Sequence, residues 1–255
     1  MNTYYKDDLV ELIHGECMKT MLNFANNGVK FDAIITDPPY GTTACKWDVV
    51  IPFNDMWNSI NQIKHKTTPV VLFGSEPFSS NLRVSNIKEY KYDWIWNKNR
   101  FVNQCAARKQ ALKIHEIISV FYAKQCMYNP QGIIRINKRT RQGTRGSDII
   151  GNQKRVREYV QEYTNYPRSI IEFKSDMGLH PTQKPIALLE YLIKTYTNEG
   201  DLILDFTCGS SSTLVAAQNT NRRCIGIELD EDYCKVSKVR LENNMQRILE
   251  HKTVV

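Results

Sequence analysis

Apolar positions in this chain alternate between two patterns: short β-branched runs, and longer stretches with apolar residues at helical spacing. Leu9–His14 reads as a short strand, followed by a helix from about Met18 to Asn26. Phe31–Thr36 reads as a buried strand, bounded by Gly28 before it and Asp37-Pro38-Pro39 after it. Neither proline can donate to a ladder, so the strand stops there. Asp37–Tyr40 is thereby placed at the carboxyl end of a strand, where open α/β sheets bind their ligands. Thr68–Phe73 is apolar, ends in Gly74-Ser75 and predicts a helix to follow; Tyr92–Trp96 and Glu116–Tyr122 read as further strands. Pro185–Tyr196 is predicted helical, with Leu188, Leu189, Leu192 and Ile193 on one face. Leu202–Leu204 is then a buried strand, Thr213–Gln218 opens a helix, Arg223–Ile227 is a strand and Asp232–Arg247 a closing helix. This alternation predicts the α/β class with a doubly wound sheet. A single domain over residues 1–255, carrying an insertion at about 125–173, is the economical description.

A chain of 255 residues is long enough to bury roughly 70–75% of its unfolded surface, so no disulfide or metal staple is required. Seven scattered cysteines, odd in number and with no CxxC pair, argue against a disulfide framework or a zinc site. They are expected to be reduced thiols serving as small apolar fillers. No apolar run approaches the ~20 residues of a membrane span, and residues 1–11 are too polar for a secretory signal. An intracellular, cytoplasmic protein with no membrane contact is expected. The net charge of +7 suits polyanionic partners. Its distribution sharpens that reading: Arg135, Lys138, Arg139, Arg141, Arg145, Lys154, Arg155 and Arg157 face a single acid, Asp148, between Gln131 and Arg157. A solvated surface loop has the same appearance, so the segment alone does not decide between the two.

Asp205 ends a buried strand, a small-residue loop follows through Cys208-Gly209-Ser210-Ser211-Ser212, and Glu228 ends the next strand. Strand, small-residue loop, helix, strand and then an acid about 20 residues on is a nucleoside-binding arrangement. Gly209 is the loop's only glycine, so the GxGxxG of pyrophosphate binding is absent, which suits S-adenosylmethionine better than NAD. An ordinary Ser-rich helix cap would also fit this loop.

Asp37-Pro38-Pro39-Tyr40 says more. A base amino nitrogen is a poor nucleophile because its lone pair is delocalised into the ring. Two acceptors, each taking one N–H, would draw it toward tetrahedral geometry and free the lone pair. Asp37 offers a carboxylate and Pro38 a carbonyl held by two fixed φ angles. Tyr40 offers an aromatic face for a base taken out of the stack.

With both ends in view, the chain resembles the β group of SAM-dependent DNA amino-methyltransferases, in which the catalytic motif precedes the SAM motif. The matching segments are Leu12–Cys17, Asp37–Gly41 with Trp47-Asp48, Phe73-Gly74-Ser75, His115-Glu116, His180–Pro185, Leu204–Thr213 and Ile225–Glu228. The resemblance implies a Rossmann-like, seven-stranded, mostly parallel sheet, circularly permuted so that the first strand lies beside the last. It implies S-adenosylmethionine as cofactor, with Glu16 near the adenine, Thr182, Gln183 and Lys184 toward the methionine end, and Asp205, Thr207, Gly209, Ser210, Ser211 and Glu228 in the loop and ribose positions. It makes residues 125–173 a target-recognition region and their basic residues contacts to double-stranded DNA. Two residues depart from the family loop: Thr207 stands for a Phe beside the cofactor and Ser211 for a Gly, which implies weaker cofactor affinity with the fold unchanged.

Asp in the first motif position points to adenine N6, while cytosine N4 makes the same chemical demand and stays open. RNA adenine enzymes of this kind carry Trp where Tyr40 stands, and protein-glutamine enzymes carry Asn first and place the SAM motif ahead of it. A non-catalytic DNA-binding subunit that kept the fold is the reading from another class, supported by the altered loop and opposed by the intact Asp37–Tyr40 and Glu228. A homodimer and a companion restriction endonuclease are both compatible with the sequence.

Overall fold

The computed structural model describes residues 2–43, 45, 48–102, 104–140, 159–175 and 183–253. Compact contacts divide the chain into two units: residues 1–129 together with 169–255, and residues 130–168.

The larger unit is built on one sheet. Its strands are β1 (Asn2–Lys6), β2 (Val10–His14), β3 (Ala33–Thr36), β4 (Val70–Gly74), β5 (Tyr90–Val102), β6 (Lys113–Phe121), β9 (Ile170–Glu172), β10 (Leu202–Asp205) and β11 (Arg223–Glu228). They lie in the order β1-β2-β11-β10-β3-β4-β6-β5-β9. The sheet therefore has nine strands where seven were expected. The two additions are β1, which folds back antiparallel on β2, and the three-residue β9, parallel to β5. Both lie at sheet edges, where backbone pairing suffices and no apolar run is needed to mark a strand in the sequence. β2 pairs parallel with β11, Ile13 opposite Ile227, so the early strand and the last one are neighbours. Five of the eight strand pairs are parallel; β1·β2, β4·β6 and β5·β6 are antiparallel.

Side chains alternate across the central strands and so divide the core into two layers. Ala33, Ile35, Val71 and Phe73 pack on one face against helices α4 (Ile186–Tyr196), α5 (Ser212–Asn219) and α6 (Glu231–Thr253). Ile34, Val70 and Leu72 pack on the other against α1 (Cys17–Asn26), α2 (Phe53–Ile63) and α3 (Phe78–Ser85). Helix α2 was not read from the sequence, although Met56, Trp57, Ile60 and Ile63 have helical spacing and are buried. The polar residues between them mask the stripe. Gly226 in β11 is required by this packing: a Cβ there would stand 2.5 Å from Leu214 of α5 and 2.9 Å from the sulfur of Cys208. All seven cysteines are free, and Cys126, Cys208, Cys224 and Cys234 are buried.

From the β10–β3 junction the chain winds in opposite directions, β10 to β11 on one side and β3 to β4 on the other. That is a topological switch point, which opens a crevice at the carboxyl ends of the two strands. Asp37 and Asp205 both stand there.

The smaller unit holds an antiparallel pair, β7 (Ile134–Thr140) and β8 (Tyr159–Thr164), with an irregularity in register between Arg135 and Lys138. No helix among the described residues is long and apolar enough to cross a membrane.

Candidate functional site

A cavity of about 350 Å³ runs along the crevice, from Asp37 and Tyr40 past Asp205 and Thr207 to Gly209 and Glu228. The two ends read separately from the sequence thus open into one space.

At one end of the cavity, Asp37 follows β3 directly. One of its carboxylate oxygens accepts from the Tyr40 hydroxyl and the other from the Lys184 ammonium. Burial and the nearby Glu116 charge push the Asp37 carboxyl up, against the pull of Lys184. The Tyr40 ring rests on Phe78 with centroids 5.0 Å apart, and burial beside Asp37 drives its phenol well above the usual value. Lys184, expected toward the cofactor's methionine end, sits at the Asp37 carboxylate, 5.2 Å from the Phe73 ring centroid. The loop beyond Tyr40 is tied by Asp48, whose carboxylate accepts from the backbone N–H groups of Gly41, Thr42 and Thr43 at 2.7–2.9 Å. Those bonds outweigh burial and hold Asp48 below the usual carboxylate range. Gly41 has φ +68°, and a Cβ there would meet Val50 at 2.9 Å.

At the other end, Glu228 accepts from Gly209 N–H and from Asp230 N–H, both at 2.8 Å, while burial still raises its carboxyl. Asp205 is buried; it accepts from the Thr36 hydroxyl at 2.7 Å, and burial lifts its carboxyl to about 6. Thr207 links the two ends, its hydroxyl lying 2.7 Å from that of Thr36 and donating to the Asp37 carbonyl at 3.1 Å. A Phe at this position could not make that bond. Helix α6 holds the loop: Ser237 donates to the Gly209 carbonyl at 2.9 Å, and Arg240 donates to the Ser210 carbonyl at 2.8 Å and to Ser212 at 2.9 Å. No sequence signal marked Ser237 or Arg240, which lie some thirty residues away on a different element.

Of the expected site residues, Pro38, Pro39, Gln183 and Ser210 also line the cavity. Glu16 lines it too, but both its oxygens cap α1, accepting from Met18 N–H and Lys19 N–H at 2.8 Å. Ser211 does not line it. Its side chain is fully buried against Cys208, and its backbone is left-handed at φ +61°, the conformation a glycine would adopt freely. Glu116 and Phe73 line the cavity and were passed over as site residues, although His115-Glu116 and Phe73-Gly74-Ser75 stood out as motifs. Arg135, Lys138 and Arg139 are exposed on β7. Trp47, Arg141, Arg145, Lys154, Arg155, Arg157 and Thr182 lie outside the described residues.

The profile of the DNA methylase family (N6_N4_Mtase) matches residues 31–239. The chain belongs to that family. This DNA methylase is 28% identical over 250 residues to the Type II methyltransferase M.HpaI of Haemophilus parainfluenzae, which covers 91% of the chain and 74% of the relative. To the DNA adenine methyltransferase YhdJ of Escherichia coli it is 26% identical over 269 residues, covering 94% of the chain and 85% of the relative. A shorter match, 51% over 65 residues, spans 26% of the chain and 24% of the Type II methyltransferase M2.DpnII of Streptococcus pneumoniae. Two solved structures share its fold at TM-score 0.65. M1.HpyAVI in complex with SAM is 24% identical and covers 91% of this chain and 100% of its own. The cytosine-N4-specific PvuII DNA methyltransferase is 12% identical and covers 98% and 95%.

Proposed function

We propose that this methylase transfers a methyl group from S-adenosylmethionine to the N6 amino group of an adenine flipped out of duplex DNA. The observation that carries the reading is the single cavity that joins Asp37–Tyr40 to the Asp205–Glu228 loop. The donor set suits the cofactor. Gln183 Oε1 lines that cavity, buried and without a hydrogen-bond partner among the described residues, and it fits an ammonium or hydroxyl donor. Asp205 and Glu228 are acceptors for the remaining nucleoside hydroxyls. When bound, S-adenosylmethionine supplies an electrophilic methyl group.

The chain's own part is to present the nucleophile. Asp37 and the Pro38 carbonyl each accept one N–H of the amino group, localising its lone pair toward the methyl. Thr207, bonded to the Asp37 carbonyl, holds the strand exit in register with the cofactor loop. The amino nitrogen becomes acidic only after transfer, so Asp37 needs no unusual basicity to receive the proton. Arg135, Lys138 and Arg139 are assigned to DNA phosphates. Adenine is favoured by Asp at the first motif position and by the likeness to a DNA adenine methyltransferase. Cytosine N4 is the second reading, favoured by the likeness of fold to the cytosine-N4-specific PvuII enzyme.

Purified protein should transfer labelled methyl from S-adenosylmethionine to duplex DNA, and nucleoside analysis of the product should find N6-methyladenine. Asp37→Ala should lower that rate by about 10²–10³ or more. N4-methylcytosine in the product would replace the adenine reading. Full activity in Asp37→Ala would overturn the mechanism.

A further inference from the structure

Asp37 cannot offer its full acceptor strength to a base while an ammonium sits on it. In this structure Lys184 Nζ is bonded to one Asp37 oxygen and the Tyr40 hydroxyl to the other. A second carboxylate waits beside the lysine. Glu116, on β6, lies with its Oε2 3.5 Å from Lys184 Nζ, within ion-pair range but not hydrogen-bonded. That oxygen is buried, has no hydrogen-bond partner among the described residues, and belongs to a residue lining the cavity. The other oxygen of Glu116 is fixed by Lys98 of β5. A buried carboxylate oxygen held only by a long ion pair is weakly satisfied, and an approach of the ammonium would complete its hydrogen bond.

We propose that Lys184 is handed from Asp37 to Glu116 when the target amino group arrives, which makes Glu116 a positioning residue for methyl transfer. The proposal rests on the reading of Asp37 as the acceptor for that amino group. A movement of the ammonium by roughly 0.7 Å brings it to charge-assisted hydrogen-bond distance of Glu116 while it still touches Asp37, and a displacement on the order of 1–2 Å away from Asp37 completes the release. Lys184 stays within the same walls throughout, under the faces of Phe73 and Tyr40, whose ring centroids lie 5.2 and 6.0 Å from Nζ. The exchange keeps the site neutral, because Asp37, Glu116, Lys98 and Lys184 carry two charges of each sign. Asp37 trades a cation for a neutral N–H donor at the moment its electron density is needed, and Glu116 gains the hydrogen bond it lacks. A lysine held permanently on Asp37 would compete with the base for the carboxylate and weaken its pull on the amino hydrogens.

The test compares Glu116→Gln, Glu116→Asp and Lys184→Gln, singly and as the Lys184→Gln/Glu116→Gln pair, with Asp37→Ala run in parallel. The readouts are kcat, KM for duplex DNA and the midpoint of thermal unfolding. Glu116→Asp keeps the charge and so protects the fold, yet withdraws the acceptor by about one methylene. Glu116→Gln and Glu116→Asp should each lower kcat by about tenfold to a hundredfold and leave KM for DNA within about threefold. With no ammonium to receive, Glu116→Gln on the Lys184→Gln background should change kcat by less than about twofold. A purely structural Glu116 would give losses that multiply across the pair and follow the unfolding midpoint, and either result overturns the hand-off. Wild-type kcat in Glu116→Asp, with Asp37→Ala inactive, overturns the hand-off and leaves the methyltransferase reading standing. Activity retained in Asp37→Ala overturns both.

Discussion

Asp205 is held ionised at neutral pH in a place that resists the charge, and replacing it with Asn measures that resistance. The residue is 4% exposed at the end of β10, and burial lifts its carboxyl from 3.8 to about 6. Below about pH 3 the carboxyl is neutral in folded and unfolded chains alike, and burial carries no charge penalty. As pH rises through 6 the folded state must ionise a group that the unfolded chain ionised two units earlier, so stability from the neutral form is lost across that window. Two units amount to about 3 kcal/mol at pH 8. Asparagine keeps the acceptor for the Thr36 hydroxyl and has no charge to bury. Asp205→Asn should therefore match the wild type in thermal midpoint near pH 3 and exceed it at pH 8. The full difference corresponds to roughly 6–12 °C for a chain of this length. Calorimetry at half-unit steps from pH 3 to 8 would trace the curve. A difference independent of pH, or a variant less stable at pH 8, would refute the argument. The same substitution should weaken S-adenosylmethionine binding, which is the return for carrying an unfavourable charge at the cavity wall.

Glu228→Ala removes the acceptor that orients Gly209 N–H and Asp230 N–H, and calorimetric titration should show weaker S-adenosylmethionine binding with DNA binding unchanged. Tyr196→Phe leaves the buried Trp94 indole N–H and the Tyr92 hydroxyl without their shared partner, so denaturant unfolding should show a loss of about 1–3 kcal/mol without effect on the cavity. Changing Arg135, Lys138 and Arg139 together to Gln should weaken duplex binding and reduce the slope of log K against log salt by up to about 0.9 for each phosphate contact removed. An unchanged slope would make β7 a solvated surface.

The order of the motifs and the elements that carry them were legible in the sequence because their signals are local. A Pro-Pro pair stops a strand wherever it occurs, so Asp37 had to stand at a strand end, and the small-residue loop after Asp205 could open only where β10 ended. Edge strands β1 and β9 left no such signal, since they form by adding backbone bonds to a sheet that already exists. Contacts at the site depend on which distant strands are neighbours. Lys184 meets Asp37 across 147 residues, and Arg240 grips Ser210 across 30. Sequence spacing carries no information about either. Glu16 shows the same division: its identity suggested a ligand contact, but only the folded entry into α1 commits both its oxygens to backbone amides. Periodicity and stop residues marked the central strands of the large sheet and their ends. Sheet register, which depends on every strand at once, decided that two carboxylates and a lysine from β6, the β3 exit and the approach to α4 would converge on one small cavity.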